Sequence, residues 1–167
     1  AYMRGMQDGG IYASAKHFPG HGDTDVDSHR SLPILPFSRE RLDSLELYPF
    51  KSLIDEDVAM VMIGHLFIPS LDTIVSTLSH KVVTKLLKEE MKFDGIVVTD
   101  ALNMKGVSST LRPSEVTLAA YKAGVDLLLM PNEVKRSIDM IVAAVESGEC
   151  SMEDLDNRVR KILGLKA

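Results

Sequence analysis

Cysteine is almost missing from this chain. Cys150 stands alone among 167 residues, which excludes an internal disulfide and any thiolate cluster on a metal. Positive charge is in the minority, with 19 Lys and Arg against 24 Asp and Glu for a net charge of -5. The basic residues are scattered along the chain rather than gathered into the stripe that a phosphate backbone requires, so nucleic acid is not an expected partner. No apolar run approaches the ~20 residues needed to span a bilayer, and no signal peptide is visible, so no membrane partner is expected. No glycine-rich dinucleotide fingerprint follows any apolar run; Gly20-His21-Gly22 lacks both the third glycine and a following helix. Low-complexity tracts and internal repeats are also missing. What is present, 45% hydrophobic and 26% charged residues over this length, suits one domain with a proper core.

Short β-branched runs alternate with longer amphipathic ones. Ile11 to Phe18, Val58 to Ile63, Gly95 to Asp100 and Asp126 to Met130 read as strands. Between and after them, helices are expected over Arg39 to Ile54, from Ser79 to about Phe93, Pro113 to Ala123, Val134 to Ser147 and Met152 to Leu165. Ser79 and Ser151 are placed to cap two of these, and Gly124 to end another. Most of the strands are apolar on both faces, the pattern of parallel strands covered by helices. The order is α/β, and polar residues follow the strands: His17, His65, Asp100 and Asn132. Polar groups at the C-terminal edge of a parallel sheet belong to a doubly wound sheet or a (β/α)8 barrel. With no dinucleotide or phosphate loop, the barrel is favoured, in the form of a partial TIM barrel of roughly four parallel strands.

The run from Lys16 to His29 concentrates three His, three Asp and a Lys in fourteen residues. Pro19, Gly20 and Gly22 break any regular element there, so it is a loop after a strand, where α/β proteins place chemistry. Three readings of it stand open. His17, His21, Asp23, Asp25, Asp27 and His29 offer donors for a metal, although a calcium-loop comparison fails at Ser28 and Ile34. Asp27 lies two residues from His29, so its carboxylate can orient the imidazole for proton transfer. The same pair can equally well do no more than pin the loop. Asp100, ending the run Ile96-Val97-Val98, can serve as nucleophile, base or ligand, or as the N-cap of the next helix. Met60, Met62, Met91 and Met140 read as packing residues.

Three segments, Lys16-His17-Phe18-Pro19-Gly20-His21-Gly22, Asp27-Ser28-His29 and Val98-Thr99-Asp100-Ala101-Leu102-Asn103-Met104, resemble glycoside hydrolase family 3, and most of all its β-N-acetylhexosaminidase branch. The similarity extends through Ile68-Pro69-Ser70-Leu71-Asp72 and Ser76-Thr77-Leu78-Ser79. The resemblance implies a retaining exo-hydrolase that removes terminal β-linked N-acetylglucosamine from a glycan. It implies Asp100 as nucleophile, His29 as acid/base with Asp27 as its partner, and Lys16 and His17 on sugar hydroxyls. His65, ending the second strand, joins them as a substrate-binding candidate. No metal or organic cofactor is implied. The acid/base would be a histidine where most retaining glycosidases use a second carboxylate. The acceptor, water or phosphate, and the source of the glycan are left open.

Length departs from the family pattern, because a complete barrel has eight strands and ~250 residues. The chain also begins Ala1-Tyr2-Met3 without an initiator methionine. The expectation is a single domain over residues 1–167 forming the C-terminal half of a catalytic barrel, weak or inactive alone, with the compartment undetermined. Open half-barrel edges expose pairing groups and apolar surface, so a homodimer is expected through them. Two competing readings remain: a metal-dependent hydrolase built on the His/Asp loop, and a carbohydrate-binding remnant without turnover.

Overall fold

The computed structural model describes residues 1–21, 32–108 and 111–166. Three strands, β1 (Ser14–Phe18), β2 (Met60–Ile63) and β3 (Ile96–Thr99), form a parallel sheet in that order. Helices cross between them, as right-handed β/α connections require. The architecture is α/β, consistent with a half barrel.

The first crossover is one helical stretch in three pieces, α2 (Arg39–Arg41), a π-type turn (Leu42–Glu46) and α3 (Tyr48–Ile54). Ser38 Oγ accepts the Arg41 N–H at its start. Pro49 has no N–H to give, and the chain around it widens, with Leu47 N–H reaching back five residues to the Leu42 carbonyl. The second crossover, Lys81–Glu90, is likewise π-type. Ser79 Oγ accepts the Val82 N–H at 3.1 Å while its own hydroxyl donates to Asp72 Oδ2, so the capping role read from the sequence holds. Val82, Val83, Leu86 and Leu87 form the buried side of that helix. After β3 come α4 (Lys105–Ser108), α5 (Pro113–Ala123), α6 (Val134–Glu146) and α7 (Met152–Gly164). Ser151 Oγ caps α7 through the Asp154 N–H. Gly124 ends α5 at a φ of 112°, and a Cβ there would meet Thr84 Oγ1 at 2.3 Å; both backbone and space demand glycine. Among the described residues no helix is long and apolar enough to cross a membrane.

The core lies between the sheet and these helices, centred on Phe18, Leu42, Ile63, Leu66, Leu87 and Val97. β3 is buried along its whole length, whereas β1 and β2 alternate. Met60 and Met62 are half-buried rather than enclosed, since they stand on the sheet face that the described helices do not cover.

The structure departs from the sequence expectation at α4, which was not expected, and more consequentially at the two ends of the sheet. A helix precedes the first strand, α1 (Tyr2–Asp8), with Met3 and Met6 against the core and Gln7 bonded to Ala59 N–H and to the Asp57 carbonyl. The expected fourth strand, Asp126 to Met130, is reduced to one parallel bridge, Val98 to Leu127. Backbone bonds still join it to β3, from Leu127 N–H to the Val97 carbonyl and from Thr99 N–H to the Leu127 carbonyl, and side chains add to them. Asp126 Oδ2 accepts the Val97 N–H at 2.8 Å, and Thr99 Oγ1 accepts the Leu129 N–H at 2.9 Å. Met130 then turns left-handed, at φ 46°. A strand needs backbone pairing at alternate residues; here that pairing lasts for one repeat at Leu127, and the carboxylate and hydroxyl extend the contact on either side.

Candidate active site

Three strand ends meet at the C-terminal edge of the sheet. At β1 the register runs Ser14 to Met60 and Ala15 to Val61, then Phe18 to Ile63. Three steps on β1 therefore match two on β2, which is a bulge spanning Lys16 and His17. Bulges re-aim side chains beside functional sites. Here the extra residue lets Ala15 and Phe18 both be buried, while His17 is turned toward the sheet end. The peptide bonds Lys16–His17 and Phe18–Pro19 are cis. Lys16 is exposed at the same end, and the His21 ring lies 5.8 Å from that of His17.

Asp100 follows β3 directly, and its N–H donates to the Ile63 carbonyl of β2. Its Oδ1 accepts the Ala101 N–H at 2.8 Å, and its Oδ2 lies 3.6 Å from His17 Nε2. That separation is too long for a hydrogen bond and leaves Oδ2 open toward a ligand. The N-cap reading of Asp100 does not hold, because the next helix begins only at Lys105. Burial is the largest influence on His17 and lowers its pKa below 6.5, opposed by the neighbouring Asp100 carboxylate. The imidazole is thus neutral near pH 7 and able to donate or accept. Gly64 forms the floor between the two strands, where a Cβ would stand 3.0 Å from that of His17.

His65, which ends β2, is fully buried. Its Nε2 lies 3.0 Å from the Ala101 carbonyl and its Nδ1 2.7 Å from Thr77 Oγ1. A carbonyl only accepts, so a proton is assigned to Nε2, and the single Thr77 hydroxyl proton serves Nδ1 and the Gly64 carbonyl, 3.1 Å away, in turn. Both ring nitrogens are used within the protein. Burial again dominates, lowering the His65 pKa from 6.5 against the opposing Ala101 and Asp100 contributions. Because protonation favours the unfolded chain for both histidines, their stabilisation is complete above pH 6.5 and is lost as pH falls toward the depressed folded values. Thermal unfolding should show Tm decreasing from pH 7 to pH 5, with a shallower decline in His65→Gln.

The structure brings Lys16, His17, His65 and Asp100 to one sheet edge. Asp27 and His29 lie outside the described residues, as do Asp23 and Asp25. Asn132 is exposed on the fourth segment, and its carbonyl accepts the Ser137 hydroxyl. Among the described residues no group of three His, Cys, Asp or Glu side chains is placed to hold a metal ion. The supporting groups Thr77 and Thr99 carry no local sequence signal of their role, since each acts on a partner distant along the chain. A surface depression of about 960 Å³ between α3 and the Lys81–Glu90 helix shares no residue with this site.

Parallel strands crossed by helices, with ionisable groups collected at the C-terminal strand ends, are the arrangement of a (β/α) half barrel. More narrowly, the chain belongs to glycosyl hydrolase family 3, whose N-terminal domain matches residues 1–165. It is 32% identical to beta-hexosaminidase A of Pseudoalteromonas piscicida over 99% of this chain and 31% of that protein. The structure of a family 3 beta-N-acetylglucosaminidase from Paenibacillus sp. str. FPU-7 superposes with a TM-score of 0.92 at 44% identity, covering 98% of this chain and 32% of that one. The beta-N-acetylglucosaminidase from Thermotoga maritima gives 0.87 at 28% identity, over 98% and 36%. The chain therefore spans about a third of the length of these relatives.

Proposed function

We propose that this chain carries the nucleophile and sugar-contacting groups of a retaining β-N-acetylhexosaminidase acting on glycans with terminal β-linked N-acetylglucosamine. The observation that supports this most is the pairing of Asp100 Oδ2 with His17 Nε2 at 3.6 Å across two strand ends. One carboxylate oxygen is anchored by the Ala101 N–H, and the other faces a polar ring able to bond a hydroxyl. Asp100 Oδ2 attacks the anomeric carbon as the bond to the leaving oxygen breaks, and His29, oriented by Asp27, gives that oxygen its proton. His29 then takes a proton from water, whose oxygen displaces Asp100 and releases the sugar. Lys16 and His17 hold sugar hydroxyls. Pairing of two copies through the open edges, next to the exposed Ile11 and Tyr12, belongs to the same proposal for the 167-residue chain taken alone.

The test is intact-mass analysis of the whole protein containing this chain after incubation with a 5-fluoro N-acetylglucosaminyl fluoride, followed by peptide mapping. A single glycosyl adduct on Asp100 is expected. Turnover of an aryl N-acetyl-β-glucosaminide without any adduct on Asp100, or no reaction with either compound, would overturn the proposal.

A further inference from the structure

The residue that follows the proposed nucleophile is held from both sides. The Ala101 N–H is bonded to Asp100 Oδ1 at 2.8 Å, and the Ala101 carbonyl receives the His65 Nε2 proton at 3.0 Å. The N–H of the same Ala101–Leu102 peptide goes to the Leu129 carbonyl at 2.9 Å. His65 is in turn held by Thr77, whose hydroxyl lies 2.7 Å from Nδ1 and 3.1 Å from the Gly64 carbonyl. Both side chains are fully buried. Together Gly64, His65 and Thr77 form a buried polar unit in the core that ends on the backbone next to Asp100.

We infer that His65 is a positioning residue for Asp100, acting through the Ala101 carbonyl with Thr77 as its support, and not a ligand of the sugar. Nothing on the ring is left to meet a substrate, as both nitrogens are bonded internally. An Asp side chain has only two rotatable bonds, so the direction of its carboxylate follows the backbone of residues 100 and 101. With the Ala101–Leu102 peptide fixed at its carbonyl by His65 and at its N–H by Leu129, Ala101 is anchored on its C-terminal side, which restrains the preceding Asp100–Ala101 peptide whose N–H grips Oδ1. Oδ2 is thereby aimed at the open space beside His17. A buried donor locked onto a backbone carbonyl restrains that peptide, and rigid support behind a reacting group is what holds it in an attack geometry.

This inference rests on the reading of Asp100 as the nucleophile, and the experiment separates the two. His65→Leu, His65→Gln and Thr77→Val are made in the whole protein. For each, kcat and KM are measured on an aryl N-acetyl-β-glucosaminide, together with amide hydrogen exchange at Ala101 and Leu102. Leucine removes the donor to Ala101; glutamine can restore it from a similar position. The expected result for His65→Leu is a kcat lower by about 10²-fold, the scale of a misplacement of roughly 1 Å, with KM within threefold of wild type. Exchange at Ala101 and Leu102 should rise at least tenfold. His65→Gln should recover most of both losses, and Thr77→Val should fall between. A rise in KM with kcat unchanged would make His65 a sugar ligand and overturn the inference. Unchanged kcat and unchanged exchange in His65→Leu would overturn it as well. Should wild type lack turnover, the functional reading fails, and amide exchange alone still decides whether His65 fixes the Ala101 peptide. If His65→Leu does not fold, Thr77→Val and His65→Gln carry the same comparison.

Discussion

Asp100→Asn should abolish most turnover, lowering kcat on an aryl N-acetyl-β-glucosaminide by about 10⁴-fold or more, the range seen when a covalent nucleophile is removed. Asparagine keeps an oxygen for the Ala101 N–H, so thermal stability should stay within about 0.5 kcal/mol of wild type. The loss is then chemical and not structural. Asp100→Ala should be equally inactive, but sodium azide should restore part of its rate by occupying the vacated space and attacking the anomeric carbon itself. The resulting glycosyl azide, formed by a single displacement, should have the configuration opposite to that of the substrate. Retention of a tenth of wild-type activity by both variants would remove Asp100 from the nucleophile position. Product configuration by NMR and initial rates with and without azide make the distinction.

The largest expected loss of stability lies outside the site, at Asp126. Its side chain is almost fully buried at 1% exposure, with Oδ1 on the Lys88 ammonium at 2.9 Å and Oδ2 on the Val97 N–H at 2.8 Å. Burial is the main influence on Lys88 and lowers its pKa, while Asp126 opposes it. Asp126→Ala removes the acceptor from a backbone donor in β3 and leaves a largely enclosed ammonium without its partner. Breaking such a pair from one side costs about 3 kcal/mol or more. Removing both charges while keeping the acceptor is a different case. Lys88→Met with Asp126→Asn should regain most of the loss, because asparagine can still accept the Val97 N–H. Urea unfolding of the whole protein and its variants measures this. Equal destabilisation in the single and double variants would mean that the ion pair contributes nothing and the backbone bond everything.

The parts legible in the sequence were those in which one segment carries its own signal. The runs ending at Ile63 and Thr99 are apolar and rich in branched residues, so strands were expected. The run to Phe18 was read from its place before the polar loop, and His17, His65 and Asp100 marked the functional edge. Ser79 and Ser151 announced helix starts in the same local way. What escaped depends on partners far along the chain. α1 offers only Met3 and Met6 as an apolar face, too weak a pattern to read, and is fixed by Gln7 reaching Asp57 and Ala59 some fifty residues on. The segment after Gly124 looks like a strand by composition, yet its backbone pairing is confined to Leu127, with Asp126 and Thr99 side chains bonding on either side. His65 occupies a position equivalent to those of His17 and Asp100, and only its contacts with Thr77 and Ala101 show that it faces inward. No spacing rule distinguishes a histidine that meets a ligand from one that holds a neighbour.

β1 and β3 flank β2, and strands in a sheet stand about 4.8 Å apart. His17 and Asp100 therefore start from backbones separated by two ladder steps, roughly 10 Å, and their side chains close the gap above Gly64. The hydrogen-bond ladder works as a fixed gauge for the width of the site. Loops beyond the strand ends can lengthen, shorten or exchange residues, changing which glycan is admitted, without altering that gauge. Selection on specificity and selection on reactivity can thus act on separate parts of one short chain.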